Sequence, residues 1–381
     1  MIDQLIEFRH ELHKKPELSG REFVTASMVS DFLKSFNPHT MYNNQGGAGL
    51  AAVYKYEKPG PTIVIRCELD ALPIIEKNDI DYRSTIQGVS HKCGHDGHMA
   101  MVAGMAPWLE NNEKGKGNVL LLFQPSEENG RGAEAILESE IFKDWYPDYF
   151  IALHNLPGIP LHQVVCKKGV FSASVRSVII KLTGLQSHAS TPELGINPTS
   201  SVAGIISSIE ALNQVDKSSS GFKIITPIYI HVGEKAYGIS PAHAELHFTM
   251  RTWTEDEMRI LCNEVVSIVE NISSTNKLSH NIEWLEVFPS SVNSDYGYDL
   301  VERSAEKLNV EFREIDFPLI FGEDFGHYSQ KYSCVLYGLG AGEKSFPLHH
   351  PDYDFPDEII ETGMNMYQNF LLELWNDCED A

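Results

Sequence analysis

Apolar residues recur at helical spacing over residues 2–12 and 22–36, the stripe expected where a helix buries one face. Short runs rich in β-branched and large apolar residues follow at 50–54, 62–69, 119–123 and 149–153. These runs are nearly continuous rather than alternating. That is the pattern of strands covered on both faces, as in a parallel sheet flanked by helices. Helical patterns at 95–109 and 131–142 lie between the later runs. The alternation predicts an α/β domain with a largely parallel sheet.

The texture changes near Ser172. Residues 175–182 read as a strand, 197–212 as a helix with Pro198 in its first turn, and 224–232 and 244–252 as further strands. A helix is predicted from about 255 to 271. Proline is tolerated at a helix start because its missing N–H would have no helical partner there. After about residue 288 the first texture resumes, with a helix near 300–308, a strand at 334–339 and a terminal helix over 357–375. The expectation is one discontinuous α/β domain, residues 1–171 and 287–381, interrupted by a small α+β domain of one antiparallel sheet and two helices at 172–286.

Length agrees with two domains: the chain has 381 residues, more than one hydrophobic core ordinarily serves. The formal net charge is −23, which repels phosphate backbones and excludes nucleic acid as an expected partner. No apolar run is long enough to span a bilayer, so no membrane association is expected. The first residues lack a basic segment followed by an apolar core, so no secretory signal is read. Six cysteines are scattered without paired spacing, which gives no disulfide framework and leaves a reducing, cytoplasmic setting as the expectation.

Polar clusters stand where the predicted strands end. The run 62–69 leads into Asp70, 119–123 into Gln124-Pro125-Ser126-Glu127-Glu128, and 149–153 into His154. The strand 334–339 and a glycine-containing loop lead to Leu348-His349-His350-Pro351. Open α/β sheets bind ligands beyond the carboxyl ends of their strands. Each cluster alone is better explained as a turn, a cap or a solvated pair. Their coincidence at strand ends points to one mouth, and Cys93-Gly94-His95-Asp96-Gly97-His98 joins them.

Thiolate, imidazole and carboxylate all ligate zinc-like divalent ions. Cys93 precedes a helix start, where backbone N–H groups favour a thiolate. His95 and His98 share a helix face, so one can ligate while the other supports, and Asp96 is placed to hold an imidazole. A structural zinc would want a second Cys/His pair, which the chain lacks. Of adjacent Glu127 and Glu128, one can ligate while the other takes a proton from water.

At this point the residues resemble a known family. Cys93-Gly94-His95-Asp96, Gln124-Pro125-Ser126-Glu127-Glu128, Ala152-Leu153-His154, Ser187-His188-Ala189, Gly322-Glu323-Asp324-Phe325 and Leu348-His349-His350-Pro351 occur in the order seen in dinuclear-metal amidohydrolases. That branch includes hippurate hydrolases, N-acetyldiaminopimelate deacetylases and auxin-conjugate hydrolases, within the wider family of aminoacylase and the glutamate carboxypeptidases. The resemblance implies a catalytic domain with an inserted lid or dimerisation domain, two divalent metal ions (Mn, Zn, Co or Ni), and a homodimer formed through the insert. It implies Cys93, His95, Glu128, His154 and His349 as metal ligands, Glu127 as general base and Asp70 as the supporting aspartate. His188 resembles the lid histidine that stabilises the oxyanion, in related dimers from the partner subunit. Arg251 fits a clamp for a substrate carboxylate, with a surface ion pair an equal reading. Glu323 is placed beside the pocket or as a helix cap.

The implied reaction is hydrolysis of the amide bond of N-acyl amino acids, small molecules bearing a carboxylate. The alternatives are a dipeptide-cutting exopeptidase using the same metals, and a metal-binding homologue without catalysis. Three positions depart from the family pattern: Glu68 stands where an aspartate is usual, Gly238 replaces an asparagine, and Glu193 replaces a second histidine.

Overall fold

The computed structural model describes residues 1–378. The chain divides into two compact units. The first comprises Met1–Phe171, Ser291–Asp316 and Glu323–Ala381; the second comprises Ser172–Ser290 and Phe317–Gly322.

An eight-stranded mixed sheet organises the first unit. Its strands are β1 (Thr40–Gln45), β2 (Gly49–Lys55), β3 (Thr62–Glu68), β4 (Asn118–Gln124), β5 (Tyr149–Leu156), β6 (Val164–Cys166), β7 (Phe312–Glu314) and β8 (Ser333–Gly340). They lie side by side in the order β1-β2-β4-β3-β5-β8-β6-β7. The central four, β4, β3, β5 and β8, are mutually parallel. Every residue of β3 is buried, as a strand covered by helices on both faces requires. β1 was not read from the sequence. Its Thr-Met-Tyr-Asn-Asn-Gln is too polar to register as a strand, and it forms at the sheet edge by antiparallel pairing with β2.

Helix α1 (Ile2–His13) buries Leu5, Arg9, Leu12 and His13. Two of those four are ionisable, so this stripe is more than core packing. After α2 (Phe23–Lys34), the helix that follows the Cys93 motif, α3 (His95–Ala103), is buried along its whole length. The periodicity suggested one helix over 95–109; the helix is interrupted at Gly104 and resumes as Met105–Glu110. A Cβ at Gly104 would lie 2.6 Å from side-chain atoms of Leu5 and Met364, so close packing of neighbours requires glycine at the junction.

The second unit holds a four-stranded antiparallel sheet, in the order Lys223–Val232, His243–Thr252, Ser174–Thr183, Ser279–Phe288. Helices Thr199–Glu210 and Glu255–Thr275 pack on it around Val178, Ile180, Leu246, Phe248, Val265 and Val269. The longer helix starts on a complete capping box, Thr254 with Glu257, which satisfies two otherwise orphaned N–H groups. The strand Ser279–Phe288 escaped the sequence reading. A register shift between Leu285 and Phe288, with Glu286 at φ 51°, breaks its alternation. Among the described residues, no helix is long and apolar enough to cross a membrane.

Candidate metal centre

The four central strands deliver the polar clusters. β3 ends at Glu68 and the chain turns through Asp70, whose side chain is fully buried. Pairing of β3 with β4 runs on through Leu69 N to Gln124 O, 2.8 Å. The next turn carries Ser126 at φ 57°, its N–H donating to Glu22 Oε1 at 2.8 Å. That conformation projects Glu127 and Glu128 in succession. His154 lies within β5. His349, also left-handed at φ 66°, is tied to the Cys93 segment by its N–H to Lys92 O, 2.8 Å.

Two glycines of the Cys93 motif are required by packing. Gly94 adopts φ 91°, and a Cβ there would sit 2.4 Å from Asn155 Oδ1. A Cβ on Gly97 would meet the Phe355 ring at 2.4 Å. The spacing between Cys93, His95 and His98 therefore depends on both.

His95 and His154 each have one ring nitrogen committed to the scaffold and the other turned to its neighbours. His95 Nδ1 donates to Asp70 O at 2.9 Å, and its Nε2 lies 4.0 Å from Glu127 and 3.9 Å from Glu128. His154 Nδ1 donates to Asn155 O at 2.8 Å, and its Nε2 lies 3.5 Å from Cys93 Sγ. His349 Nε2 is 3.6 Å from Glu128 Oε2. Fixing one nitrogen selects the tautomer that presents the other as a ligand. His350 stacks on Phe346 instead, with ring centroids 4.6 Å apart.

The structure thus brings Cys93, His95, Glu127, Glu128, His154 and His349 together. Cys93–His95–His154, Cys93–Glu128–His349 and His95–Glu127–Glu128 each place their ligand atoms within 4.8 Å of one another. His95 Nε2 and Glu128 Oε1 are buried without a hydrogen-bond partner. Buried polar atoms are rarely left so. Soft thiolate, imidazole and carboxylate donors around two such atoms fit divalent metal ions.

Electrostatics give the same answer. Burial, then Glu323 and Glu128, push the Glu127 carboxyl well above the usual range. Burial raises Glu128 to about 7 although His95 opposes. Burial and the neighbouring His98 hold His154 at about 3, the neutral form a metal needs. His95 is raised to about 10: burial opposes the proton, but Asp70, Glu68 and Glu128 outweigh it. Carboxylates crowded this closely lack positive charge, and the proton on His95 is what a metal would displace.

Two expectations are corrected. Cys93 does stand before a helix, but its thiol is raised well above its ordinary value by burial, then by Glu128 and Glu127. A helix terminus contributes about 0.3–1 kcal/mol, under one pKa unit, and is outweighed. Asp96 does hold an imidazole, but that of His13, at 2.8 Å, together with Arg9 Nε at 2.7 Å. It braces α3 against α1 rather than supporting a ligand of the centre.

Beneath the carboxylates lies a buried cation that sequence reasoning passed over. Arg66 has 0% exposure. It pairs with Glu68, with Glu323 at 3.0 Å and with Asp324 at 2.7 Å, and its Nε donates to Gln124 Oε1 at 2.9 Å. Asp324 in turn accepts from Gln124 Nε2 at 2.8 Å and from Ala133 N at 2.9 Å, clamping the turn that bears Glu127. Glu68 accepts from His98 Nδ1 at 2.7 Å. Glu323 is buried, accepts from Phe325 N at 3.1 Å, and lies with Asp324 beside Glu127. It caps and neutralises. The signal in the sequence was an arginine amid a run of strand residues, where a charge is admitted only with buried partners.

His188 and Arg251 belong to the second unit. His188 is exposed on a two-residue strand paired with Ile239–Ser240. Its Nδ1 accepts from Ser190 N at 3.1 Å and lies 2.6 Å from Ser190 Oγ, which leaves Nε2 as the N–H donor. Arg251 donates from Nη1 to Ile320 O at 2.6 Å. It makes no salt bridge among the described residues.

Residues 64–373 match the family model described as Peptidase family M20/M25/M40. The chain is 28% identical over 369 residues to a hippurate hydrolase of Campylobacter jejuni, covering 96% of this chain and 95% of that one. It is 27% identical over 374 residues to an N-acetyldiaminopimelate deacetylase of Bacillus subtilis, covering 97% and 98%. A solved Bacillus subtilis structure, described as a dinuclear metal binding peptidase of the M20 family, superposes with TM-score 0.85 at 25% identity over 98% of each chain.

Proposed function

The chain belongs to peptidase family M20/M25/M40 and is a metal-dependent amidohydrolase, and from that premise we propose that it removes the acyl group from N-acyl amino acids. Cys93, His95, Glu128, His154 and His349 would hold two divalent ions, of Mn, Zn, Co or Ni. Bound there, such ions polarise the scissile carbonyl and acidify the attacking water. Glu127 takes the proton from that water and passes it to the leaving amine. The observation that carries this role is its position: a buried carboxylate next in chain to Glu128, 4.0 Å from the unpartnered Nε2 of His95. Asp70 orients His95 and steadies the turn by accepting from Glu128 N at 3.0 Å.

Two further roles fall to the second unit. His188, with its donor fixed at Nε2, stabilises the oxyanion of the tetrahedral intermediate, and Arg251 pairs with the substrate carboxylate. Glu323, read from the sequence as a pocket or cap residue, acts from behind Glu127, buried against Arg66. We place His188 in trans, within a homodimer joined through the second unit. The edge strand Lys223–Val232 supports that reading, with Ile228, Tyr229 and Ile230 all exposed; an uncovered apolar edge is a template for pairing with another chain. The reaction is placed in the cytoplasm.

A panel of N-acetyl and N-benzoyl amino acids against dipeptides tests the substrate class. Turnover of the acyl amino acids is expected after metal loading, with none after exhaustive chelation. Inert acyl amino acids beside hydrolysed dipeptides would replace this reading with an exopeptidase. Glu127→Ala should keep its metal content and lose turnover; near-full activity would remove Glu127 from the base role. Mixing His188→Ala chains with Glu127→Ala chains should restore part of the activity if catalysis crosses the dimer.

A further inference from the structure

Lys92 stands directly before Cys93, and its side chain has 0% exposure. A lysine is admitted to an interior only where its ammonium is paired and hydrogen-bonded. Lys92 Nζ makes three contacts: Glu76 Oε1 at 2.6 Å, Asn78 Oδ1 at 2.7 Å and the backbone oxygen of Tyr353 at 2.7 Å. The three partners match the three N–H bonds of an ammonium. The same residue's backbone oxygen accepts from His349 N at 2.8 Å. One residue therefore grips the 349–353 segment at both ends.

That segment needs such a grip. His349 is the most exposed of the candidate ligands, its side chain 50% accessible, and its backbone sits at φ 66°. A non-glycine residue in that region is disfavoured unless its surroundings impose it. Other contacts point the same way. Lys77 N donates to Pro351 O at 3.0 Å, and Asn78 Nδ2 donates to Asp352 O at 2.9 Å. Lys92 is where this strapping meets Cys93.

We propose that Lys92 is a positioning residue for the metal centre: it couples the Cys93 segment to the His349 segment, so that Cys93, Glu128 and His349 hold a metal ion together. Its ammonium does not touch the reacting atoms. The loss should fall on the ion bound by Cys93–Glu128–His349, while Cys93–His95–His154, anchored by Asp70 and Asn155, keeps its own. The inference rests on the two-ion reading above.

The test is titration of the metal-stripped full chain with Co²⁺, followed by calorimetry and by the visible and thiolate charge-transfer absorption of bound cobalt. Wild type is expected to take up two ions. K92M should bind one ion as wild type does and the other about 10–100-fold more weakly, the usual cost of removing a residue that orients a ligand. Its cobalt spectrum should change, and amide exchange should quicken over 349–353. K92R, which keeps a cation able to reach a backbone oxygen, should recover part of the affinity. If wild type takes up no Co²⁺, the two-ion reading fails, and this inference falls with it. If wild type binds two ions and K92M binds both equally well with the same spectrum, the inference alone fails. Should K92M not fold, E76Q/K92M removes the partner charge with the ammonium and carries the same test. Failure of K92M, K92R and the double variant to fold would make Lys92 a requirement of folding and overturn the positioning role.

Discussion

The two units treat polar side chains in opposite ways. In the first, charged and polar groups are withdrawn from water in pairs: Arg66 with Glu68, His95 with Asp70, Lys92 with Glu76 and Asp96 with Arg9. In the second, sheet and helices close over an apolar core, while His188 stays exposed beside Ser190 and Arg251 is held by one backbone carbonyl. The difference fits the roles proposed for these groups. Groups that set the charge around a metal must already be in place, because reorganising them costs energy when the reaction occurs. Groups that meet a substrate keep some freedom of approach.

If that contrast is right, substitutions in the two units should fail differently. The largest effect should come from Arg66→Met. It leaves Glu68, Glu323 and Asp324 without their common cation, and breaking a buried pair costs about 3–5 kcal/mol. Denaturant unfolding should show that loss, and activity should fall with stability. A loss under about 1 kcal/mol would show that the carboxylates simply take up protons and that the buried cation is dispensable.

His188→Ala is the matching experiment in the second unit. An oxyanion donor is worth about 3 kcal/mol in the transition state, so kcat should fall about a hundredfold with stability and metal content unchanged. A fall in stability of similar size would erase the contrast. Arg251→Lys should act more gently, raising KM by about tenfold at unchanged kcat, because lysine keeps the charge and loses the bidentate fork.

A smaller effect separates the units by pH. Burial opposes ionisation of Glu76, but hydrogen bonds from His13 and Lys92 hold its carboxyl at about 2, below its ordinary 4.5. A depressed carboxylate adds stability above its unfolded pKa and loses it as pH falls toward the folded value. His13 is shifted the other way: burial opposes its proton, yet Asp96 and Glu76 raise it above 6.5. Its contribution is full below that value and fades as pH rises through the raised one. Thermal stability should therefore weaken as pH falls from about 4.5 to about 2, read as a falling Tm, and E76Q should flatten that limb. The smallest effect is expected for Lys34→Ala, whose partner Asp31 is 69% exposed; such pairs contribute about 0–1 kcal/mol.

How much could be read beforehand depended on what each residue answers to. The buried strands β3, β4, β5 and β8 were legible because continuous apolar runs have few other uses. Edge strands Thr40–Gln45 and Ser279–Phe288 were not. Their residues answer to a neighbour's hydrogen bonds and, in the second, to a bulge. Cys93, His95, Glu127, Glu128, His154 and His349 stood out because few residue types can ligate metals. Arg9, His13, Arg66, Glu76 and Lys92 did not, because a lone charge in a sequence looks the same whether it meets water or a buried partner.

The sequence by itself determined the α/β class, the change of texture near Ser172 and the donor set at the strand ends, since periodicity and side-chain chemistry are local properties. Only the tertiary structure decided which charges are buried and with whom. Arg66 lies 257 and 258 positions from Glu323 and Asp324, and Lys92 lies 261 from Tyr353. A buried charge is tolerated only when partners converge on it in space, and convergence over such separations is set by how the strands are ordered in the sheet.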